Sequence, residues 1–275
     1  MIGKTNSVVI SGGENTLKKL LDIKKSCFYL FYQYPDTSVD DVIQYSDTEN
    51  VTDMSYMFYY ANRLTSVPQL DTSKVTKMYS MFYNCTSLTT IPQFDTSKVT
   101  TMNQMFQNCS KLTTIPLLDT SKVTDMQYMF GSCSSLKTAP QLDTSKVTTM
   151  YFMFSGCDLI TTVPQYNTSN VTNMYATFRN CISLTTIPAL DVDKVTNFDG
   201  MFYNCPNLKS ILMTNIGTKL DISASTKFER SDLLVILNNL KTVTTATTLT
   251  MGATNLAKLT DEDKAIATNK GWTLA

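Results

Sequence analysis

The chain has 275 residues, with 23 basic and 23 acidic side chains, no histidine and a formal net charge of zero at pH 7. The length suffices for a large core, and the even charge balance argues against a nucleic-acid footprint, which needs a basic face. The absence of histidine removes Ser-His and Cys-His nucleophile pairs and the histidine-containing zinc sites.

In chain order, residues 1–46 differ in composition from the rest of the chain. Thr16 to Gln33 mixes Leu17, Leu20, Leu21, Ile23, Phe28 and Phe31 with lysines. That mixture predicts an amphipathic helix lying over the next segment as an N-terminal cap. Asp40 to Tyr45 reads as a second short helix. The first residues lack the continuous apolar run of a secretory signal, and no stretch is long and apolar enough to span a bilayer. The expectation is therefore a chain made in the cytoplasm, with a virion or lysis as its route outside.

From Asp47 a 24-residue phrase returns at Asp71, Asp95, Asp119, Asp143, Asn167 and Asp191 without insertion or deletion. These seven copies span 47–214, and the pattern decays where Leu212 stands in place of the proline. The copy at Asp95 keeps Val99, Met102, Met105, Phe106, Cys109, Leu112, Ile115 and Leu118 apolar. Almost every third residue is apolar, which fits neither a long helix nor an alternating strand. It fits a coil whose short segments each point one residue inward, and stacked coils would bury what one copy cannot. Met-Phe-x-x-Cys has the spacing of a short helical turn. Leu-Thr-Thr-Ile-Pro reads as a short strand, paired in parallel with the next coil at about 4.8 Å. Val-Thr-x-Met fits either a second short strand or the start of the helical turn.

The repeat also sets up columns of like residues. Cys85, Cys109, Cys133, Cys157, Cys181 and Cys205 share one position. Parallel side chains at the coil spacing sit too far apart for a disulfide, whose β-carbons want about 3.8 Å, so a ladder of reduced core thiols is expected. The methionines read as core filler. Asp71, Asp95, Asp119 and Asp143 stack above one another with lysines three residues later, and their expected role is a turn in which the carboxylate holds nearby amides. Calcium rolls use glycine-rich nonapeptides, which do not occur, so neither metal nor cofactor is expected.

Residues 215–275 form a different α/β unit, read as a C-terminal cap. Ser231 to Leu240 predicts a helix capped by Ser231 or Asp232. Thr245 to Met251 reads as a strand. Thr260 opens a final helix with acids in its first turn, Gly271 ends it, and Trp272-Thr-Leu reads as a last strand.

The phrase VTxMxxMFxxCxxLTTIPxLDTS resembles the BspA-like leucine-rich repeat family of bacterial surface proteins, which also occurs in phage and prophage genes. The resemblance implies an α/β repeat solenoid: a leucine-rich-repeat-like right-handed coil with short parallel strands and short helical turns, capped at both ends. It further implies a non-catalytic binding module for protein or glycan, in adhesion or host interaction, on a bacterial surface or a phage particle. A structural spacer within a larger particle and an intracellular inhibitor of a host or defence protein are the alternatives.

Function is best sought where the copies differ. The positions around the Met-Phe pair vary among Tyr, Asn, Ser, Gln and Gly, an alphabet suited to recognition because tyrosine supplies area at low entropy cost. The candidate binding residues are Tyr56, Tyr79, Tyr83, Gln104, Tyr128, Tyr151, Phe152, Tyr175, Arg179 and Tyr203.

Overall fold

The structure, a computed structural model, describes residues 48–275. The helices expected over Thr16 to Gln33 and Asp40 to Tyr45 lie outside the described residues.

The copies stack as successive coils of a leucine-rich-repeat-like solenoid. Asp53 bridges Lys77 and Lys77 bridges Thr101, both in parallel, and Asp125, Thr149, Asn173 and Asn197 continue the column. These are the variable positions of Val-Thr-x-Met, so that segment is the bridging one. Beside it, the Thr76 amide donates to the Thr52 carbonyl at 2.8 Å, and the Thr76 hydroxyl donates to the same oxygen at 3.1 Å.

The Leu-Thr-Thr-Ile-Pro segment pairs less than expected. Thr89 N–H donates to Thr65 O and Thr113 N–H to Thr89 O, at 3.1 and 3.2 Å, and Lys137, Thr185 and Lys209 make the equivalent bond in later copies, but within these copies the pairing does not extend to the proline. Proline has no amide to extend it. Where Leu212 replaces the proline, its amide donates to Ile187 O at 3.0 Å. There the pairing lengthens into β1 (Thr186–Ile187) and β2 (Ser210–Ile211), parallel with Thr186 opposite Ser210.

The Met-Phe-x-x-Cys segment is not the expected helical turn. In the copy at Asp95, Met105 N–H donates to Met102 O, Gln107 N–H to Gln104 O and Cys109 N–H to Phe106 O, at 3.1, 3.2 and 3.0 Å. Each is a four-residue turn, and Gln104 and Asn108 take φ of +60° and +62°. A helix would aim every amide along its own axis. Here alternate amides instead aim along the stack: Gln104, Phe106 and Asn108 donate to the carbonyls of Gln127, Met129 and Gly131 at 2.9, 2.9 and 2.7 Å. Apolar spacing is the same for both conformations, because each brings Met105, Phe106 and Cys109 inward.

The core is a set of parallel ladders. Phe58, Phe82, Phe106, Phe130, Phe154, Phe178 and Phe202 stack with centroids 5.2 to 6.1 Å apart and planes within 11°. All are buried, and each contributes about 1.5–3 kcal/mol by leaving water. The thiol of Cys109 donates to Phe82 O at 3.0 Å, and the five other repeat cysteines repeat that bond one coil apart. Burial pushes these thiols up, Cys205 to about 12. All six are free.

The aspartate column does what a turn requires. Asp71 Oδ1 accepts from Ser73 N–H at 2.9 Å, and Asp95, Asp119 and Asp143 do the same in their copies. Their carboxyls lie below the usual range, held first by the serine side chain and amide and only secondarily by the neighbouring lysine. Where asparagine takes the lysine position, the next coil's lysine bonds it: Lys74 to Asn50 and Lys194 to Asn170, both at 3.0 Å.

Beyond Asn215 the coils widen. β3 (Leu220–Asp221), β4 (Thr247–Thr250) and β5 (Trp272–Leu274) form a parallel sheet with β4 in the middle. Between them lie α1 (Arg230–Asn238), α2 (Ala253–Leu256) and α3 (Asp261–Thr268). Helix α1 starts one residue before the expected Ser231. Glu229 is its cap and donates its amide to Asp232 at 3.0 Å, so Asp232 serves from inside the first turn. Thr260 caps α3 as its sequence suggests, accepting from Asp263 N–H at 3.2 Å while Asp263 accepts from Thr260 N–H at 2.9 Å. The buried Asp263 carboxylate also takes two 2.7 Å bonds from Arg230, which ties α3 to α1. Among the described residues, no helix is long and apolar enough to cross a membrane.

Candidate binding face

Four columns flank the Met-Phe pair, two before it and two after it. Two of them are backbone-constrained. The residue before the second methionine and the residue before the cysteine are both left-handed, with φ between +50° and +73° wherever they recur. In the column before the cysteine this explains the alphabet: Asn84, Asn108, Ser132, Gly156, Asn180 and Asn204 are types that tolerate the region. Backbone geometry, rather than recognition, accounts for that part of the variable set. Only Tyr60, at φ +61°, departs from it.

The column before the second methionine behaves differently. Under the same constraint it carries Tyr56, Gln104, Tyr128 and Phe152, at φ +59°, +60°, +54° and +53°. A bulky side chain in this region costs about 1–2 kcal/mol relative to the right-handed form, and glycine, used at Gly200, avoids that cost.

The structure gathers these side chains into two aromatic clusters. In the first, Tyr56 packs edge-on to Tyr79 at 4.8 Å and Tyr59 stacks on Tyr83 at 4.8 Å, with Tyr60 between them. Tyr59 and Tyr60 escape the sequence-based selection, although the Tyr-Tyr pair is a visible signal. In the second, Tyr128 stacks on Phe152 at 4.9 Å, Tyr151 stacks on Tyr175 at 5.1 Å, and Tyr128 meets Tyr151 edge-on at 5.3 Å. Burial, then the Tyr151 hydroxyl, push the Tyr128 phenol up to about 12, so it stays a neutral hydrogen-bonding group. Asn103, Gln104, Gln107 and Asn108 form a wholly amide rung between the clusters, with Gln104 Oε1 accepting from the Ser80 hydroxyl at 2.9 Å. Past the second cluster, Arg179 lies 4.1 Å from the ring centre of Tyr203, whose side chain is 56% exposed.

The face ends in a step. The repeat turn is absent after Asn215, and the ridge drops into a cavity of about 380 Å³ lined by Phe198, Asp199, Gly200, Lys219, Leu220, Asp221, Thr248 and Thr250. Lys219 and Asp221 flank the buried Leu220 on β3, and Lys219 pairs with Asp199 at 2.9 Å. Thr248 and Thr250 flank the buried Leu249 on β4 and so share a face. Sequence reasoning misses this cavity because it joins Phe198 to Gly200 of the last copy to two segments outside the repeat period.

These features define a repeat solenoid with a patterned aromatic face. The chain matches the family model described as "Mycoplasma protein of unknown function, DUF285" over residues 25–142 and 137–233, and it belongs to that family. Among solved structures it is similar to the T. pallidum leucine rich repeat protein, at 17% identity and TM-score 0.44 over 76% of this chain and 84% of that one. It is also similar to a leucine-rich repeat protein from Bacteroides ovatus, at 14% identity and TM-score 0.19 over 68% and 70%. No curated protein matches.

Proposed function

We propose that this protein is a non-catalytic recognition module whose Met-Phe turn face captures a protein or glycan ligand, in adhesion or host contact on a cell or phage surface. The supporting observation is the occupancy of the left-handed column by Tyr56, Tyr128 and Phe152, where Asn or Gly would be cheaper for the backbone. All three side chains are half-buried in the aromatic clusters, and strain kept at partly open positions points to a use for the side chain. Tyrosines set among small polar residues also match the composition of binding surfaces. The chemistry is consistent with this reading: the chain has no histidine, and the repeat thiols are buried and protonated. The likeness of the phrase to BspA-like repeats supports a surface role, with 215–275 as the C-terminal cap.

The test replaces Tyr79, Tyr128 and Tyr151 together with alanine. Wild type and variant are compared for capture of polypeptides and polysaccharides from cell-surface extracts. The expected result is loss of capture with a single cooperative thermal transition kept at a lower temperature, since the aromatic pairs lost at these three residues each contribute about 0.5–1.5 kcal/mol. Undiminished capture by the triple variant would remove this face from consideration. If removal of 215–275, with the triple change tolerated, is what abolishes capture, a spacer docked through its cap becomes the better reading.

A further inference from the structure

We infer that the step at the end of the face is a subsite for the terminal sugar ring of an uncharged glycan that runs along the aromatic ridge. The inference rests on the recognition reading above and names its ligand class.

Charge is the first argument. From Ser55 to Gly156 the four columns carry no Lys, Arg, Asp or Glu. The nearest charges are Asp53, Lys77 and Asp125 in the bridging column beside the face, and Asp53 and Asp125 bond Ser55 and Gln127 there. Within the columns a neutral polyhydroxyl chain would find phenols, amides and serines, and a charged polymer no counter-charge. The second argument is the cavity. At about 380 Å³ it lies at the small end of ligand sites and has room for one ring rather than a chain. Its polar groups are the carboxylates of Asp199 and Asp221, the ammonium of Lys219 held by Asp199 at 2.9 Å, and the hydroxyls of Thr248 and Thr250. Carboxylates accept from adjacent hydroxyls, and threonines both donate and accept. That mixture fits the hydroxyls of a sugar, while two carboxylates against one committed ammonium repel a phosphate or sulfate.

A peptide strand has little purchase here. β4 is paired on both edges, with β3 and with β5, and the one free edge at the cavity, that of β3, is two residues long, too short to register an added strand. Gly200 keeps the entrance clear, since a β-carbon there would meet nothing nearer than the Arg179 guanidinium at 3.7 Å.

The experiment uses the full chain against immobilised oligosaccharides of two to six units. Neutral gluco-, galacto-, manno- and N-acetylglucosamine series are compared with sulfated and sialylated ones, and affinities of the hits are measured in solution. The double variant Thr248→Val/Thr250→Val removes both hydroxyls with side chains that suit a strand, and Trp272 emission checks the fold. Binding of a neutral series, weakened about tenfold or more in the double variant, is expected from the loss of two hydrogen bonds. Binding of no neutral saccharide, or of only charged ones, overturns the inference. A saccharide lost by the Tyr79/Tyr128/Tyr151 variant but held at full affinity by the threonine variant overturns the subsite and leaves the face standing. The reverse pattern keeps the subsite and overturns the face. A saccharide retained by both variants overturns both.

Discussion

At single positions, the sign of φ decides what the side-chain alphabet means. Asn and Gly before the cysteine answer a backbone demand, whereas Tyr128 and Phe152 stand against the same demand. Ser132, exposed at φ +61°, isolates the backbone effect. Ser132→Asn is expected to raise the urea midpoint by an amount equivalent to about 0.5 kcal/mol, and Ser132→Val to lower it by about 1 kcal/mol or more. Equal midpoints for the two variants would show that the turn relaxes out of the left-handed region. The identity of these columns is legible in the sequence, but their conformation is not, because the inward spacing of Met105, Phe106 and Cys109 suits a helical turn equally well. The run of Asn, Ser and Gly before each cysteine is the available clue to left-handed backbone.

Elements closed by one residue are more legible. Thr260 marks the start of the last helix in sequence and structure alike, because capping leaves a local signature; the helix closes at Asn269, and Gly271, expected to end it, instead makes the reversal two residues on. Gly271 has φ +85°, and a β-carbon there would collide with the Val243 carbonyl oxygen. Gly271→Ala should therefore cost about 2 kcal/mol or more, visible as an earlier unfolding transition in the emission of Trp272, the chain's single tryptophan. The α1–α3 tie gives a pH dependence. Arg230, followed by the Thr260 amide, holds the Asp263 carboxyl below its ordinary value. A depressed carboxyl stabilises the fold above its unfolded pKa, and that contribution is lost as pH falls through the folded one. Thermal unfolding should thus show falling stability below about pH 4, with a shallower fall in Arg230→Gln; identical acid limbs would refute the tie. The ladder along Leu-Thr-Thr-Ile-Pro is shorter than its β-branched residues suggest, because one proline per copy confines it to the threonine positions until Leu212.

Across the whole molecule, the seven-copy architecture is plain from periodicity alone, and the stacked phenylalanines and thiols derive from it. The cavity is not, since it arises from the register of β3 and β4 against Asp199, which no local pattern encodes. The unbroken 24-residue period has one more consequence. A stack of interchangeable rungs acts as a ruler, and the amide rung between the two tyrosine clusters sets the gap between its marks. Excising residues 95–118 joins Phe94 to Asp119 in phase and should leave a folded chain whose clusters stand closer by one coil, about 4.8 Å. A ligand that touches both clusters would then lose its fit, and affinity should drop steeply in titrations against the intact chain. A ligand seated on one cluster would bind unchanged. Length, set in whole copies, would then be a means by which such a chain selects its ligand without altering any contact residue.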